Sequence, residues 1–152
     1  MQLTHEPKPI SWPKTHYVYI ENIGPFQATA AKAWKRLHQL VPQILEHNRI
    51  TGYMSLYKFK PEKIYRAGVI LATQPKQLPR GLEYVRFHGG KYSRFVLTGP
   101  YSDLPEASGR VFEMVSEKNL EMRNDFCIES YLNDPKTTPE KDLVTEILIP
   151  TL

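Results

Sequence analysis

Along this chain the hydrophobic positions switch between a period of two and a period of three to four, the signatures of strand and helix. Residues 16–21, His16-Tyr17-Val18-Tyr19-Ile20-Glu21, alternate and predict a strand. After Gly24-Pro25-Phe26, apolar residues recur at Ala30, Ala33, Trp34, Leu37, Val41, Ile44 and Leu45, one face of a helix. Pro42 is expected to kink or restart that helix, because proline has no amide hydrogen for the ladder. Two strands follow, 53–59 and 65–72, joined by a turn containing Pro61. Beyond Pro79-Arg80-Gly81 a similar order returns: 82–88, the pair Gly89-Gly90 and 91–98 read as a hairpin. Gly99-Pro100-Tyr101 then mirrors Gly24-Pro25-Phe26, and Leu104, Ala107, Val111, Met114 and Val115 mark a second helix. Asp103 is placed to cap it, with Pro105 and Glu106 in its first turn. Strands 126–132 and 144–150 flank a turn-rich connection over 133–139.

The order β-α-β-β, a bridging strand, then β-α-β-β again predicts an α+β fold of duplicated units. Its antiparallel sheet would carry two helices on one face and a ligand groove on the other. Residues 1–14, polar and interrupted by Pro7, Pro9 and Pro13, read as a flexible segment ahead of one domain over 15–152. The chain of 152 residues is long enough to bury a core without disulfide or metal.

Strand alternation assigns faces. Phe126, Ile128 and Leu132 are expected under the helices, which sends Cys127, Glu129 and Tyr131 to the groove. By the same rule Val18 and Ile20 face the helices and Tyr17 and Tyr19 the groove, with Tyr92 and Arg94 joining them by parallel alignment. For 53–59 two assignments stay open: Tyr53, Tyr57 and Phe59 line the groove, or Met54 and Leu56 do. Trp34 and Phe112 lie on helix stripes and are expected in the core. Glu129 is the principal candidate for chemistry. A mid-strand carboxylate among aromatics is penalised by desolvation, and a lipophilic cation relieves the penalty while the rings add cation–π attraction. The competing structural reading pairs it with Arg86, Arg94 or a lysine.

Composition sharpens this picture. Hydrophobic residues at 41% and charged residues at 24% exclude a disordered chain. The net charge of +4 hides a basic middle, since residues 51–100 carry nine Lys and Arg against two Asp and Glu, while 101–152 carry five against eleven. Basic residues interleaved with aromatics can form a nucleic-acid platform. Here Lys58, Lys60, Lys63 and Arg66 surround a turn, and no helix-turn-helix, zinc-finger or RNP signature accompanies them, so no direct nucleic-acid binding is expected. A single Cys127 cannot make an internal disulfide, and five His without ligand spacing indicate no metal or cofactor. With no apolar run of membrane-spanning length and no signal-peptide core, no membrane association is expected and the location is read as cytoplasmic.

The segment Cys127-Ile128-Glu129-Ser130-Tyr131-Leu132-Asn133-Asp134-Pro135, then Thr138-Pro139 and Leu143-Val144-Thr145-Glu146-Ile147-Leu148-Ile149-Pro150, is similar to the C-terminal signature of the GyrI-like small-molecule-binding family. That family includes the DNA gyrase inhibitory protein and the effector-binding domains of AraC-type and multidrug-responsive regulators. The two Gly-Pro-aromatic turns and Gly90-Lys91-Tyr92 fit it as well, so the resemblance spans about 15–150. It implies two β-α-β-β halves and a groove for bulky hydrophobic, often cationic, small molecules, with an acid at the position of Glu129 and aromatic walls. The ligand-binding candidates are therefore Glu129, Tyr131, Tyr17, Tyr19, Tyr92 and Tyr57. The resemblance implies three functions: a stand-alone drug sensor or sink, a partner that inhibits DNA gyrase by protein–protein contact, or a hydrolase of reactive electrophiles. In the last, Glu129 would be the general base. The turn at 58–63 departs from the Asp-Pro and Thr-Pro turn of many members and bears on any ligand contact that loop would supply. No DNA-binding domain is read in the sequence, so a transcription regulator acting alone is not expected.

Overall fold

A computed structural model describes residues 1–152 and resolves the periodic segments into nine strands and two helices. In chain order these are β1 (Gln2–Leu3), β2 (Lys8–Trp12), β3 (Thr15–Ile23), α1 (Phe26–Leu45), β4 (Ile50–Lys58), β5 (Ile64–Leu71), β6 (Glu83–Phe87), β7 (Gly90–Thr98), α2 (Leu104–Glu117), β8 (Cys127–Tyr131) and β9 (Val144–Pro150). The fold is α+β, and the strand pairings described below are all antiparallel. No helix is long and apolar enough to cross a membrane. The chain divides into two compact units: a continuous one, Pro13–Gly89, and a split one made of Met1–Trp12 with Gly90–Leu152.

In the continuous unit the strand order is β4-β5-β3-β6. The helix α1 buries Ala33, Leu37, Leu40 and Ile44, a three-to-four-residue stripe worth about 1.5–3 kcal/mol per large side chain. Its Trp34 Nε1–H donates to Ser55 Oγ at 3.2 Å and to Tyr65 Oη at 2.8 Å, which fixes the face of β4 and β5 that the helix covers. Pro42 does not interrupt α1. It lies on the exposed side, where the carbonyl left without its amide partner can meet water, while Leu40 and Ile44 stay anchored around it. On the face opposite α1, the Tyr17 ring covers Gly68 so closely that a Cβ there would stand 2.4 Å from the ring. The Tyr17 hydroxyl donates to the Met54 carbonyl at 2.8 Å, so this phenol is a packing element of the sheet.

In the split unit the order is β8-β9-β7, and β1 and β2 both pair with β7. Much of the segment expected to be flexible is therefore strand, with Lys8 opposite Arg94 and Trp12 opposite Gly90. Prolines argued against this, yet an edge strand accepts Pro9 because one side of it needs no amide donor. The pair Gly89-Gly90 also departs from expectation. Both residues take positive φ, +70° and +124°, but β6 pairs with β3 and β7 with β9 and β2, so the glycines mark the passage between units and do not turn a hairpin. The local signal was a genuine backbone preference; the strand partners were set by distant edges. Helix α2 begins where Asp103 was placed to cap it, although the Asp103 side chain makes no cap hydrogen bond, and it buries Ala107, Val111, Met114 and Val115.

Candidate functional site

The sheet register of the split unit assembles the site. Glu129 stands opposite Ile147 and Tyr131 opposite Thr145. Phe95 and Leu97 on β7 meet the same two β9 residues, so all six side chains share one face. That face is the one covered by α2, because Ser108 Oγ–H reaches Glu129 Oε2 at 3.4 Å. The Tyr131 hydroxyl donates to Glu129 Oε1 at 2.8 Å. Tyr101, in the short helical turn just before α2, sets its ring edge-on to Tyr131 at 5.4 Å between centroids. Thr145 is fully buried and its Oγ1 has no hydrogen-bond partner.

Burial holds the Glu129 carboxyl above the usual carboxylate range, opposed by the hydrogen bonds from Tyr131 and Ser108. No basic side chain compensates it. Arg94, one of its expected partners, bonds Glu146 at 3.0 Å on the other face of the sheet. Burial also pushes the Cys127 thiol up to about 12, with the charges of Glu129 and Asp125 adding, so that thiol is no nucleophile at neutral pH. The arrangement is thus a partly buried acid, oriented by two hydroxyl donors and bordered by aromatic rings. Chemically it suits a host for positive charge.

Glu129, Cys127 and Tyr131 do share a face, as alternation requires, but that face lies toward the helix and not away from it. The reason is that both faces of β8 are buried: Cys127 is 2% exposed and Ile128 0%. Aliphatic content therefore could not tell the two faces apart. The structure brings Tyr131 to Glu129 and parts Tyr92 from it. Tyr92 points to the opposite face, donates its hydroxyl to the Phe126 carbonyl at 2.8 Å, and has the Arg123 guanidinium 5.1 Å from its ring centre. In the continuous unit, Tyr17 and Tyr19 point away from α1 as alternation predicted and stack at 5.3 Å. There too a guanidinium is already in place, since Arg66 lies 4.4 Å from the Tyr19 ring centre and bonds Glu21 at 2.8 Å. The Tyr19 hydroxyl donates to Glu83 at 3.2 Å. Tyr57 lies with Ser55 and Tyr65 on the helix side, edge-on to Phe26 at 5.6 Å, which decides the strand whose faces the pattern left open.

Sequence reasoning did not single out Ser108, Tyr101 or Thr145. Tyr101 was visible only as part of a turn motif. Thr145 becomes recognisable once it is known to stand opposite Tyr131, which is register information that a single strand does not carry.

A family model described as GyrI-like small molecule binding domain matches residues 5–152. No curated protein sequence matches the chain. Among solved structures, the EcmrR C-terminal domain is similar with a TM-score of 0.81 at 16% identity, covering 100% of this chain and 99% of that one. The structure of SAV2435 bound to tetraphenylphosphonium gives 0.74 at 16%, covering 97% and 94%. A hydrolase from Listeria innocua gives 0.64 at 13%, covering 97% and 92%. At these identities the likeness is one of fold.

Proposed function

Since the chain belongs to the GyrI-like small molecule binding domain family, we propose that it binds bulky hydrophobic cations and that Glu129 is the group that selects their charge. The observation that carries this reading is the Glu129 carboxyl itself: burial raises its pKa, two hydroxyls orient it, and no lysine or arginine neutralises it. A buried charge without a partner is costly, and a ligand cation would remove that cost while the rings of Tyr131 and Tyr101 add roughly 0.5–2 kcal/mol each. The similar structure of SAV2435 with tetraphenylphosphonium, a hydrophobic cation, agrees with a ligand of this class.

A thermal-shift series with tetraphenylphosphonium and with neutral and anionic aromatics of similar size tests it. At 100 times its dissociation constant a ligand adds about 2.7 kcal/mol, or roughly 5–11 °C for a domain of this size. The cation alone should give that shift, and Glu129→Gln should lose most of it. A response confined to anions would overturn the reading.

A second reading is favoured by one distance. The Tyr131 hydroxyl, 2.8 Å from the carboxyl, forms a carboxylate–phenol pair that could activate water against an electrophile, with Glu129 as general base. The likeness to a Listeria innocua hydrolase is in keeping with it. Turnover of a reactive electrophile that Glu129→Gln abolishes would establish this reading; binding without turnover leaves the first.

A further inference from the structure

Charge is divided unevenly along this chain. The continuous unit, Pro13–Gly89, carries twelve Lys and Arg against four Asp and Glu, while the remaining residues carry eight against twelve. Two of those four acids, Glu21 and Glu83, stand on the sheet face away from α1, in register with Arg66 and Tyr19. The other two lie past the end of α1, Glu46, and in the turn between β4 and β5, Glu62. On the helix side β3 presents His16, Val18, Ile20 and Asn22, the residues opposite Leu71, Val69, Ala67 and Tyr65. The helix α1 itself contains no acid in its 20 residues. Along its flank Lys32, Lys35, Arg36 and Gln39 recur at the three-to-four-residue spacing of one helix face, and with Ile20 and Asn22 they line a cavity of about 280 Å³.

The helix does not account for these cations. On α2 a solvent-facing arginine is compensated within the helix, Arg110 bonding Glu113 at 3.1 Å and Glu117 at 3.0 Å. On α1, Lys32, Lys35 and Arg36 make no ion pair, and like charges four residues apart destabilise a helix. The helix dipole favours cations in the last turn, yet that turn has none and these three lie in the first and middle turns. The amides beside them are held by the protein: Arg36 Nη1–H donates to Gln39 Oε1 at 3.3 Å, and Asn22 Nδ2–H to the Thr29 carbonyl at 3.3 Å. An anion in the cavity would supply the compensation that the fold leaves out.

We propose that this cavity is a second ligand site, independent of Glu129, and that it takes a small molecule bearing a diphosphate. The guanidinium supplies paired donors to phosphate oxygens and the two ammonium groups supply point charges, which suits an anion with several charges spread over several oxygens. The volume lies at the small end of ligand pockets, with room for the diphosphate and a modest organic part over Ile20, and favours a small molecule over a polymer.

Calorimetric titration of the full chain with pyrophosphate, ADP and orthophosphate tests this, with a short single-stranded oligonucleotide as the polymeric alternative. Pyrophosphate and ADP should bind saturably, about tenfold tighter than orthophosphate, and should weaken as salt is raised. Equal binding of the two assigns the site to the free diphosphate; tighter binding of ADP assigns it to a diphosphate ester whose organic part reaches Ile20. Lys32→Gln combined with Arg36→Gln should weaken both ligands by about tenfold without lowering the melting temperature of the unliganded chain, since it relieves repulsion. Lys60→Gln combined with Lys76→Gln removes the same charge outside the cavity and should cost less than about twofold. If the cavity pair fails to fold, the single variant Lys35→Gln provides the same comparison. The proposal falls if neither diphosphate binds saturably, if the outside pair costs as much as the cavity pair, or if the oligonucleotide alone binds. Tetraphenylphosphonium binding should be indifferent to the cavity pair and pyrophosphate binding to Glu129→Gln, so either reading can fail without the other.

Discussion

Two kinds of carboxylate–tyrosine grouping occur in this molecule, and they differ in whether a cation is already present. On the sheet faces away from the helices, Arg66 lies over Tyr19 and is held by Glu21, and Arg123 lies over Tyr92 and is held by Asp125 at 3.0 Å. Beneath α2, the Glu129 carboxylate accepts from the Tyr131 hydroxyl at 2.8 Å and from the Ser108 hydroxyl at 3.4 Å, and no ion pair neutralises it. The residue types are alike, but in the first two groups the carboxylate is already paired with a guanidinium, whereas Glu129 is bonded to hydroxyls alone. A tyrosine count therefore says little about a cation site; what matters is whether the chain has supplied the cation itself.

The strongest way to break this contrast is to disturb the tyrosines assigned to structure. Gly68→Ala would drive a methyl group into the Tyr17 ring, and denaturant unfolding should show a loss of about 3 kcal/mol or an unfolded chain. A stable Gly68→Ala protein would mean that the Tyr17 ring is free to move and could serve a ligand after all.

Next in size, Arg66→Met removes the guanidinium from Tyr19 and leaves Glu21 without its ion pair, at an expected cost of about 1–2 kcal/mol. Affinity for tetraphenylphosphonium should stay unchanged, and a gain would show that the Tyr19 face becomes a cation site once vacated.

A pH series sharpens the third group. Because burial raises the Glu129 pKa in the folded chain, the native state keeps a proton that the unfolded chain has already released in the window above the ordinary carboxylate range. Its contribution to stability is therefore present at low pH and declines as pH rises through that window. Glu129→Gln should melt higher than the native chain at pH 8, with the advantage shrinking toward zero near pH 4, and cation affinity of the native chain should increase over the same interval. A melting difference independent of pH would contradict an ionisable, uncompensated Glu129. The smallest effect belongs to Tyr131→Phe, which deletes one donor to the carboxylate and should weaken cation binding by about three- to tenfold, measured at fixed pH.

Much of the fold was legible because period and punctuation agree. Strand β9 and the start of α2 follow from alternation and from the Asp-Leu-Pro-Glu sequence at 103–106, and Tyr17 and Tyr19 point away from α1 as their alternation with Val18 and Ile20 required. What the pattern could not carry was partnership. The pairing of Lys8 with Arg94 depends on an edge more than eighty residues away, and Gly89-Gly90 has hairpin chemistry without a hairpin. The candidate site was half legible. Glu129 and Tyr131 stood out as a polar pair in an apolar strand, but the side they occupy depends on what covers Ile128, and the interest of Thr145 depends on its having no hydrogen-bond partner, which only coordinates reveal.

The pairing of β2 with β7 also bears on how the protein is made. As the chain leaves the ribosome, residues 13–89 contain every strand of their own unit and can fold as they emerge. The segment Lys8–Trp12, although synthesised earlier, has no partner until Gly90–Thr98 appears. It must wait through the synthesis of an entire unit before the sheet that holds Glu129 can take it up.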